Sequence, residues 1–279
     1  MNFKSLLPKR LRSDVTTIPV VRMSGAIMAG TSPLRTSLNL ATVAGPLEKA
    51  FATKGPAVAI SINSPGGSPV QSRLIYRRIR DLAKEKKKHV HVFCEDAAAS
   101  GGYMIACAGD DITADPSSII GSIGVISASF GFTEAIEKLG IERRLHTAGQ
   151  NKSTLDPFSP EKPEDVERLK ELQLEIHDVF IDLVKESRGD RLSDDPDLFT
   201  GRFWTGVPAQ ELGLVDAVGD MRSALKAKYG EKTRMQLIEA KRGLFGRRSM
   251  FGIENVGAVA TERLIAEADS RALWSRIGL

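Results

Sequence analysis

The sequence predicts an α/β protein built on a mainly parallel sheet, and three observations favour this class. Short strand-like runs alternate with helical patterns from about residue 17 to residue 235. The spacing between successive strand patterns leaves room for a helix, as a parallel crossover requires and a hairpin does not. The 279 residues include only two cysteines, Cys94 and Cys107, so the fold must rest on a hydrophobic core and not on disulfides. We expect one α/β domain over 17–235, a basic tail over 1–16, and a linker and helix over 236–279.

The first half of the domain carries the clearest alternation of patterns. A strand pattern covers 17–23, and a helical stretch lies around 38–52. The run AVAISIN at 57–63 is typical of a buried strand, and an arginine-rich helix follows it over 70–86. The run HVHVFCE at 89–95 predicts the next strand.

The second half is dominated by one long helix. Over 164–186 the apolar residues recur with a period of 3.6, which predicts an amphipathic helix. The other elements expected here are strands over 123–127 and 143–146, helices over 133–139, 208–212 and 261–274, and a basic linker, KRGLFGRR, over 241–248. The final helix could pack on its own domain or on a neighbouring protomer.

Charge and motifs exclude several classes of function. Lys plus Arg exceed Asp plus Glu by 39 − 35 = 4, which is too small an excess to indicate a nucleic-acid partner. The phosphate-binding pattern GxxxxGK[ST], the dinucleotide pattern GxGxxG and the nucleophile elbow GxSxG are all missing from the sequence. We therefore expect no nucleic acid, no cofactor and no metal ion.

The N-terminal run MNFKSLLPKRLR interleaves basic and apolar residues. It lacks the apolar core of about 7–15 residues that a secretory signal needs, and the chain holds no run typical of a membrane-spanning helix. The run is either a frayed tail or a segment that contacts an anionic membrane surface weakly. We expect a location in the cytoplasm or at the periphery of the inner membrane.

Two glycine-bearing loops follow predicted strands, NSPGG at 63–67 and DAAASGG at 96–102. Small residues at a strand end let backbone amides approach a ligand closely. Ser100 in the second loop precedes a helical run, so it is either an N-cap or a nucleophile. As a nucleophile it would have the Gly101 amide beside it to stabilise an oxyanion.

A nucleophilic serine also needs a base. The four histidines lie in strand or helix patterns, so each is interpreted as structural and a Ser-His-Asp triad is not favoured; they are His89, His91, His146 and His177. The other base available to a serine is a lysine whose pKa is lowered by burial. A lysine pKa is near ~10.4 in water, and lowering it to between 7 and 8 costs roughly 3–4 kcal/mol.

Four strings in order carry a family resemblance: NSPGG at 63–67, DAAASGGYMIA at 96–106, ADPSSIIGSIGV at 114–125, and a lysine-bearing loop after Arg144. Together they resemble the signal peptide peptidase A family, serine–lysine peptidases with a Clp-protease/crotonase-like fold of repeated ββα units. The resemblance covers about residues 17–230.

The resemblance implies a role for five residues. The family's nucleophile falls on Ser100, and its general-base lysine falls on Lys152, 152 − 100 = 52 positions downstream. The serine that orients this lysine falls on Ser122. The oxyanion amides would be those of Gly67 and Gly101.

The loop AGQNKST around Lys152 is polar, so the rest of the fold or another subunit must keep water from this lysine. In the family, the serine and lysine of one site come from adjacent subunits or repeats, which implies that a single short copy works as a homo-oligomer. Family members usually carry an N-terminal membrane anchor, which this sequence does not show.

We expect a serine endopeptidase that cleaves extended peptides, such as signal-peptide remnants or similar apolar peptides, through an acyl-enzyme. Two alternatives stay open on the same fold. One is a non-catalytic assembly or binding protein. The other is an acyl-CoA hydratase or isomerase, which would need a carboxylate near the loops.

Overall fold

The structure is a computed structural model that describes residues 15–30, 37–149, 151–239, 268 and 270–279. In this part of the chain eight strands form one sheet. The strands are β1 (Thr17–Ser24), β2 (Ala57–Ser64), β3 (His89–Ala99), β4 (Asp111–Ala114), β5 (Ile119–Gly121), β6 (Phe203–Trp204), β7 (Ala217–Val218) and β8 (Arg234–Leu237). The helices are α1 (Leu40–Ala52), α2 (Pro69–Lys86), α3 (Gly101–Ala106), α4 (Thr133–Lys138), α5 (Pro163–Arg188), α6 (Gly206–Glu211) and α7 (Met221–Tyr229).

The sheet is parallel except at one edge, where β6 runs antiparallel to β5. Its order is β6-β5-β3-β2-β1-β8, with β4 beside β3 and β7 beside β4. The long strand β3 therefore has two neighbours on one side. Its first part pairs with β4 and its last three residues pair with β5. The prediction of an α/β fold with a mainly parallel sheet is confirmed.

Both faces of the central strands are buried, as is usual for parallel sheets. In β2, Ile60 and Ile62 face the main core with α1, α2 and α3. Ala57 and Ala59 alternate with them and face a smaller cluster closed by Leu225 of α7. Because alternate side chains of β2 face two different clusters, and both clusters are apolar, the whole strand is a continuous apolar run in the sequence.

Local signals define the helices around the first loop. Asn39 caps α1, and its side chain and that of Thr42 form a reciprocal capping box. Ser68 caps α2, Pro69 stands in the first turn, and Lys87 ends the helix in a left-handed conformation. The predicted helices over 38–52, 70–86, 133–139, 164–186 and 208–212 and the strands over 17–23, 57–63 and 89–95 are all confirmed within a few residues.

Two predicted strands, over 123–127 and 143–146, are wrong. These residues adopt irregular structure. For 123–127 the physical reason lies in the backbone at the end of β5, where Gly121 and Ser122 have φ angles of 103° and 53°. Two successive residues with positive φ break the extended backbone that a strand requires. The short strands β4, β5, β6, β7 and β8 and helix α7 were not predicted.

Parts of the terminal predictions lie outside the described residues. These are most of the tail over 1–16, the linker over 241–248 and the first part of the final helix, of which 270–275 are helical. Among the described helices, none combines the length and apolar character that crossing a bilayer demands.

Candidate active site

Ser100 stands at the sharp turn between β3 and α3. Its backbone adopts φ 51° and ψ −122°, a conformation that a residue with a side chain rarely takes. Its amide donates a 2.8 Å hydrogen bond to the carbonyl of Gly121, and its carbonyl accepts from Met104 at 3.0 Å. The hydroxyl caps nothing, although the residue occupies the N-cap position. The interpretation of Ser100 as an N-cap through its side chain is therefore wrong.

The strain at Ser100 is held by close packing of the two glycine loops. A Cβ on Gly66 would lie 2.7 Å from the Cβ of Ser100 and 2.9 Å from the amide nitrogen of Gly101. A Cβ on Gly102 would lie 2.6 Å from the carbonyl oxygen of Ser64. Only glycine permits this approach. A strained residue that costs about 1–3 kcal/mol and is fixed by its surroundings is typical of functional sites.

Two backbone amides beside Ser100 have no hydrogen-bond acceptor among the residues that the structure describes. Gly101 is the first residue of α3, where an amide has no intrahelical acceptor. Gly67 forms a bridge to Ile27, but that bridge uses the Gly66 carbonyl and the Ser68 amide, at 2.8 Å each, and not the Gly67 amide. Such amides can stabilise a negatively charged oxygen.

Ser122 lies in the same cavity, which has a volume of about 660 Å³. Its amide donates to the Arg202 carbonyl at 2.8 Å, and its φ of 53° departs from the extended backbone of β5. The bond from Ser100 to Gly121 joins the two serine loops directly. Neither serine hydroxyl has a hydrogen-bond partner among the described residues. The structure thus brings together Ser100, Gly101, Gly67 and Ser122.

Lys152 is not among the residues that line this cavity. It is exposed in a turn, where its amide donates to the Gly149 carbonyl at 3.3 Å. A lysine that acts as a neutral base must be removed from water. The described part of its own chain does not do this for Lys152.

Sequence reasoning missed two parts of the cavity wall. His177 of α5 lines it, and its Nε2 lies 2.9 Å from the carbonyl oxygen of Ile123, so this nitrogen donates a proton and helps hold the Ser122 loop. The C-terminal segment also contributes, through Leu273, Arg276 and Ile277. The 3.6-residue period of α5 showed its apolar face but could not show which loop this face meets.

The two cysteine thiols are not candidates for the nucleophile. Cys94 and Cys107 are both buried, and burial raises the pKa of each thiol to about 12. A thiol with such a pKa holds almost no thiolate near neutral pH. Ser100 is therefore the nucleophile candidate of this site.

A parallel α/β sheet that presents a strained serine with a free hydroxyl next to two unpaired glycine amides defines a site of the serine hydrolase type. The peptidase family S49 model matches residues 82–233, more than half of the chain. The chain belongs to peptidase family S49, a serine protease family, and the resemblance to the signal peptide peptidase A family is confirmed.

Individual relatives agree with this class and differ in length. The chain is 32% identical over 235 residues to the chloroplastic serine protease SPPA of Arabidopsis thaliana, covering 81% of this chain and 34% of that protein. It is 33% identical over 232 residues to protease 4 of Haemophilus influenzae, covering 80% and 36%. A Brucella abortus protein with the name Na(+)/H(+) antiporter NhaA is 61% identical over 285 residues, covering 99% and 39%. The chain thus spans between about a third and two fifths of these relatives, and the family model, not the antiporter name, defines its class.

Proposed function

We propose that this chain is a serine endopeptidase with a Ser100–Lys152 dyad that cleaves extended peptides through an acyl-enzyme. The observation that carries the proposal is the strained Ser100, whose hydroxyl is free and whose neighbours Gly67 and Gly101 offer two amides to the same cavity. No other described serine combines these features.

In the first half-reaction, the Ser100 Oγ attacks the scissile carbonyl carbon and gives its proton to the neutral Nζ of Lys152. The carbonyl oxygen becomes an oxyanion, which the amides of Gly67 and Gly101 stabilise. The carbon–nitrogen bond then breaks, and the leaving amine takes the proton from the Lys152 ammonium. Water completes the cycle: its proton passes to Lys152, its oxygen bonds to the acyl carbon, and Ser100 recovers its proton as the acid product leaves.

Ser122 is proposed to orient the lysine. Its hydroxyl lies in the cavity without a described partner, at a loop tied to the Ser100 amide through Gly121. A hydroxyl at this point can accept a hydrogen bond from a lysine Nζ that enters the cavity, and it transfers no proton itself.

The lysine is proposed to come from a second copy of the chain, so that the enzyme works as a homo-oligomer with shared sites. Lys152 is exposed and stands outside the cavity of its own chain. The segment 125–162 that carries it also exposes large apolar side chains; these include Ile126, Phe130, Leu139 and Ile141. Apolar surface of this kind is typical of a protein–protein interface. Association would bury it and could exclude water from Lys152.

The proposed substrates are peptides with small or apolar side chains, such as signal-peptide remnants. The cavity beside Ser100 is walled by apolar groups; they include Met104, Val125, Ile126, Ile176 and Phe180. An extended peptide could pair its backbone with exposed backbone groups beside the cavity. Contact of the N-terminal tail with a membrane surface stays a prediction, since residues 1–14 lie outside the described ones.

A fluorophosphonate probe tests the proposal. We expect one label per chain, located on Ser100 by peptide mass mapping and lost in Ser100→Ala. Lys152→Ala should label at least about 100-fold more slowly, because the serine then has no base. Lys162→Ala, a second exposed lysine ten positions away, is the matched control and should label at the normal rate. An assembled protein whose Ser100 takes no label would favour a non-catalytic assembly protein instead.

A further inference from the structure

A second group of chemistry-bearing side chains lies at the other end of β3 from Ser100. His89 and His91 begin this strand, and alternate residues of a strand point to the same face. Asp111 begins β4 and is in register with His91. His91 and Ser100 are nine positions apart along β3 and the turn after it, which corresponds to about 30 Å, so the group is distinct from the proposed catalytic site.

The three side chains converge on one point. His89 Nε2 lies 2.7 Å from one oxygen of the Asp111 carboxylate, and His91 Nδ1 lies 2.7 Å from the other. The two imidazole centroids are 4.4 Å apart. One ligand atom from each of the three residues lies within 4.8 Å of the others. Two atoms bound to one Zn²⁺ at about 2.1 Å stand roughly 3.4 Å apart in a tetrahedral site, so small side-chain movements would admit an ion.

The outer nitrogen of each imidazole faces an oxygen atom, within hydrogen-bond distance for His91 and at a longer distance for His89. His91 Nε2 is 2.7 Å from the hydroxyl of Tyr229, and His89 Nδ1 is 3.7 Å from a carboxylate oxygen of Asp110. A neutral imidazole that gives its inner lone pair to a metal keeps its single proton on the outer nitrogen. Partners for that outer N–H are characteristic of metal-binding histidines, because they fix the ring and its tautomer.

The degree of exposure of the three side chains also suits an ion-binding site. The His91 side chain is only 3% exposed, whereas those of His89 and Asp111 are 38% and 30% exposed. The site therefore has a rigid inner side and an open outer side, through which an ion could enter and a water ligand could complete its coordination.

We propose that His89, His91 and Asp111 form a binding site for a divalent transition-metal ion of the Zn²⁺ class. Two imidazoles and one carboxylate are donors that Zn²⁺ prefers, whereas Mg²⁺ and Ca²⁺ prefer oxygen alone. The ion would join β3 to β4 and, through Tyr229, to α7. Its role would be to stabilise this end of the sheet. Sequence analysis predicted no metal, because the parallel pairing that brings Asp111 beside His91 cannot be read from one strand.

The neighbouring residue Lys228 provides a further test of the proposal. Lys228 Nζ lies 3.3 Å from the Asp111 oxygen that His89 also meets. Its side chain is half exposed and can move into solvent, but its positive charge opposes a cation at the site. Removing this charge should therefore tighten metal binding, whereas removing a ligand should weaken it.

Zn²⁺ titration by calorimetry tests the site on the full chain, without a histidine tag and stripped with a chelator. We expect one saturable Zn²⁺ per chain, with the affinity at least tenfold weaker in His89→Ala and Asp111→Asn, and a few-fold tighter in Lys228→Met. His146→Ala, which removes an exposed histidine of another region, is the control and should bind as the wild type does.

Thermal unfolding gives a second readout that needs no peptidase activity. Zn²⁺ should raise the Tm of the wild type and not that of His89→Ala, a variant of a partly exposed residue chosen to keep the fold, and Mg²⁺ at the same concentration should leave both unchanged. The proposal is overturned if the wild type has no saturable site, if His89→Ala binds with unchanged affinity, or if Mg²⁺ acts as Zn²⁺ does.

Discussion

The region built from β1–β3 and α1–α3 and the segment 125–162 differ sharply in how they are packed. In the first region the core side chains are almost fully buried; Ile60, Ile75 and Ile79 have no exposed surface. In the second, α4 buries no residue, and Phe130 and Leu139 are 79% and 73% exposed. The first region carries Ser100 and the second carries Lys152.

This difference in packing indicates how each residue of the proposed dyad would acquire its reactivity. The well-packed region supplies enough rigidity to hold Ser100 in a strained conformation beside two glycine loops. The exposed segment cannot remove Lys152 from water by itself. A complete site therefore requires something to cover the exposed segment, and a second copy of the chain is the proposed cover.

The largest expected effect is at the nucleophile. Ser100→Ala should lower peptide hydrolysis at least about 1,000-fold, because no other group forms the acyl-enzyme. Ser100→Gly should be equally inactive yet more stable by about 1 kcal/mol, since glycine relieves the positive φ of 51°. Denaturant unfolding and an ester hydrolysis assay measure the two effects. A Ser100→Gly protein less stable than the wild type would contradict the claim that the packed region stores strain here.

The next effect concerns the oxyanion amides. Gly67→Ala should reduce turnover about 100–1,000-fold, because the added Cβ would displace the Gly67 N–H from the oxyanion, and one such donor contributes about 3–4 kcal/mol. A Cβ at this position would also collide with the carbonyl oxygen of Ile27, at a φ of 137°. Gly131→Ala is the matched control, since a Cβ there meets nothing and the residue lies in the exposed segment. Steady-state kinetics that leave kcat of Gly67→Ala unchanged would move the oxyanion site elsewhere.

A buried ion pair and an exposed pair in the segment 125–162 should differ in the stability that they contribute. Arg188 is buried, and its guanidinium donates to both oxygens of Asp216 at 2.9 and 3.0 Å. Asp216→Asn should lower the free energy of unfolding by on the order of 3 kcal/mol, because it leaves a buried charge unpaired. Lys138→Ala, which breaks an exposed pair with Glu134, should cost less than about 1 kcal/mol. Urea unfolding measures the loss of stability in both variants. Equal losses would contradict the expected difference between the buried and the exposed ion pair.

The same pair has a pH signature. Burial disfavours the charged form of Asp216, but hydrogen bonds from Arg188 outweigh it and hold the pKa of this carboxyl below its ordinary value. A lowered folded-state pKa contributes stability above the unfolded value of about 3.9, and this stability is lost as pH falls through the folded value. The stability gap between wild type and Asp216→Asn should thus be constant above about pH 5 and shrink below about pH 4. A gap that grows on acidification would contradict this sign.

The smallest expected effect concerns two exposed apolar residues, Phe130 in the segment 125–162 and Leu237 in β8. Phe130→Asp should weaken self-association and lower activity with it, while changing the stability of the single chain by less than about 0.5 kcal/mol. Leu237→Asp, an exposed apolar residue of β8, is the control and should leave association unchanged. Sedimentation velocity at matched concentrations measures both. Unchanged association of the Phe130 variant would show that the exposed segment is not the interface.

Sequence reasoning predicted the well-packed region well and the exposed segment poorly, for physical reasons. Periods of two and 3.6 are local signals, so β1–β3 and α1–α2 follow from them. The strand expected over 123–127 fails because the positive φ angles of Gly121 and Ser122 end β5, and φ angles are not visible in the letters GSIG. The amides of Gly67 and Gly101 meet only through tertiary packing of two loops. The role of Lys152 rests on the family resemblance, since the described part of its own chain leaves this residue exposed.

Complementation between two inactive chains tests the central claim most directly. Ser100→Ala and Lys152→Ala proteins, each inactive alone, are unfolded together, refolded as a mixture and assayed for peptide hydrolysis. In a shared site, an intact Ser100 of one chain meets an intact Lys152 of another, so part of the wild-type activity should return and should fall on dilution as oligomers dissociate. If sedimentation confirms mixed oligomers and activity stays at zero, each chain must form its own dyad, and the account of a lysine supplied by a second copy is contradicted.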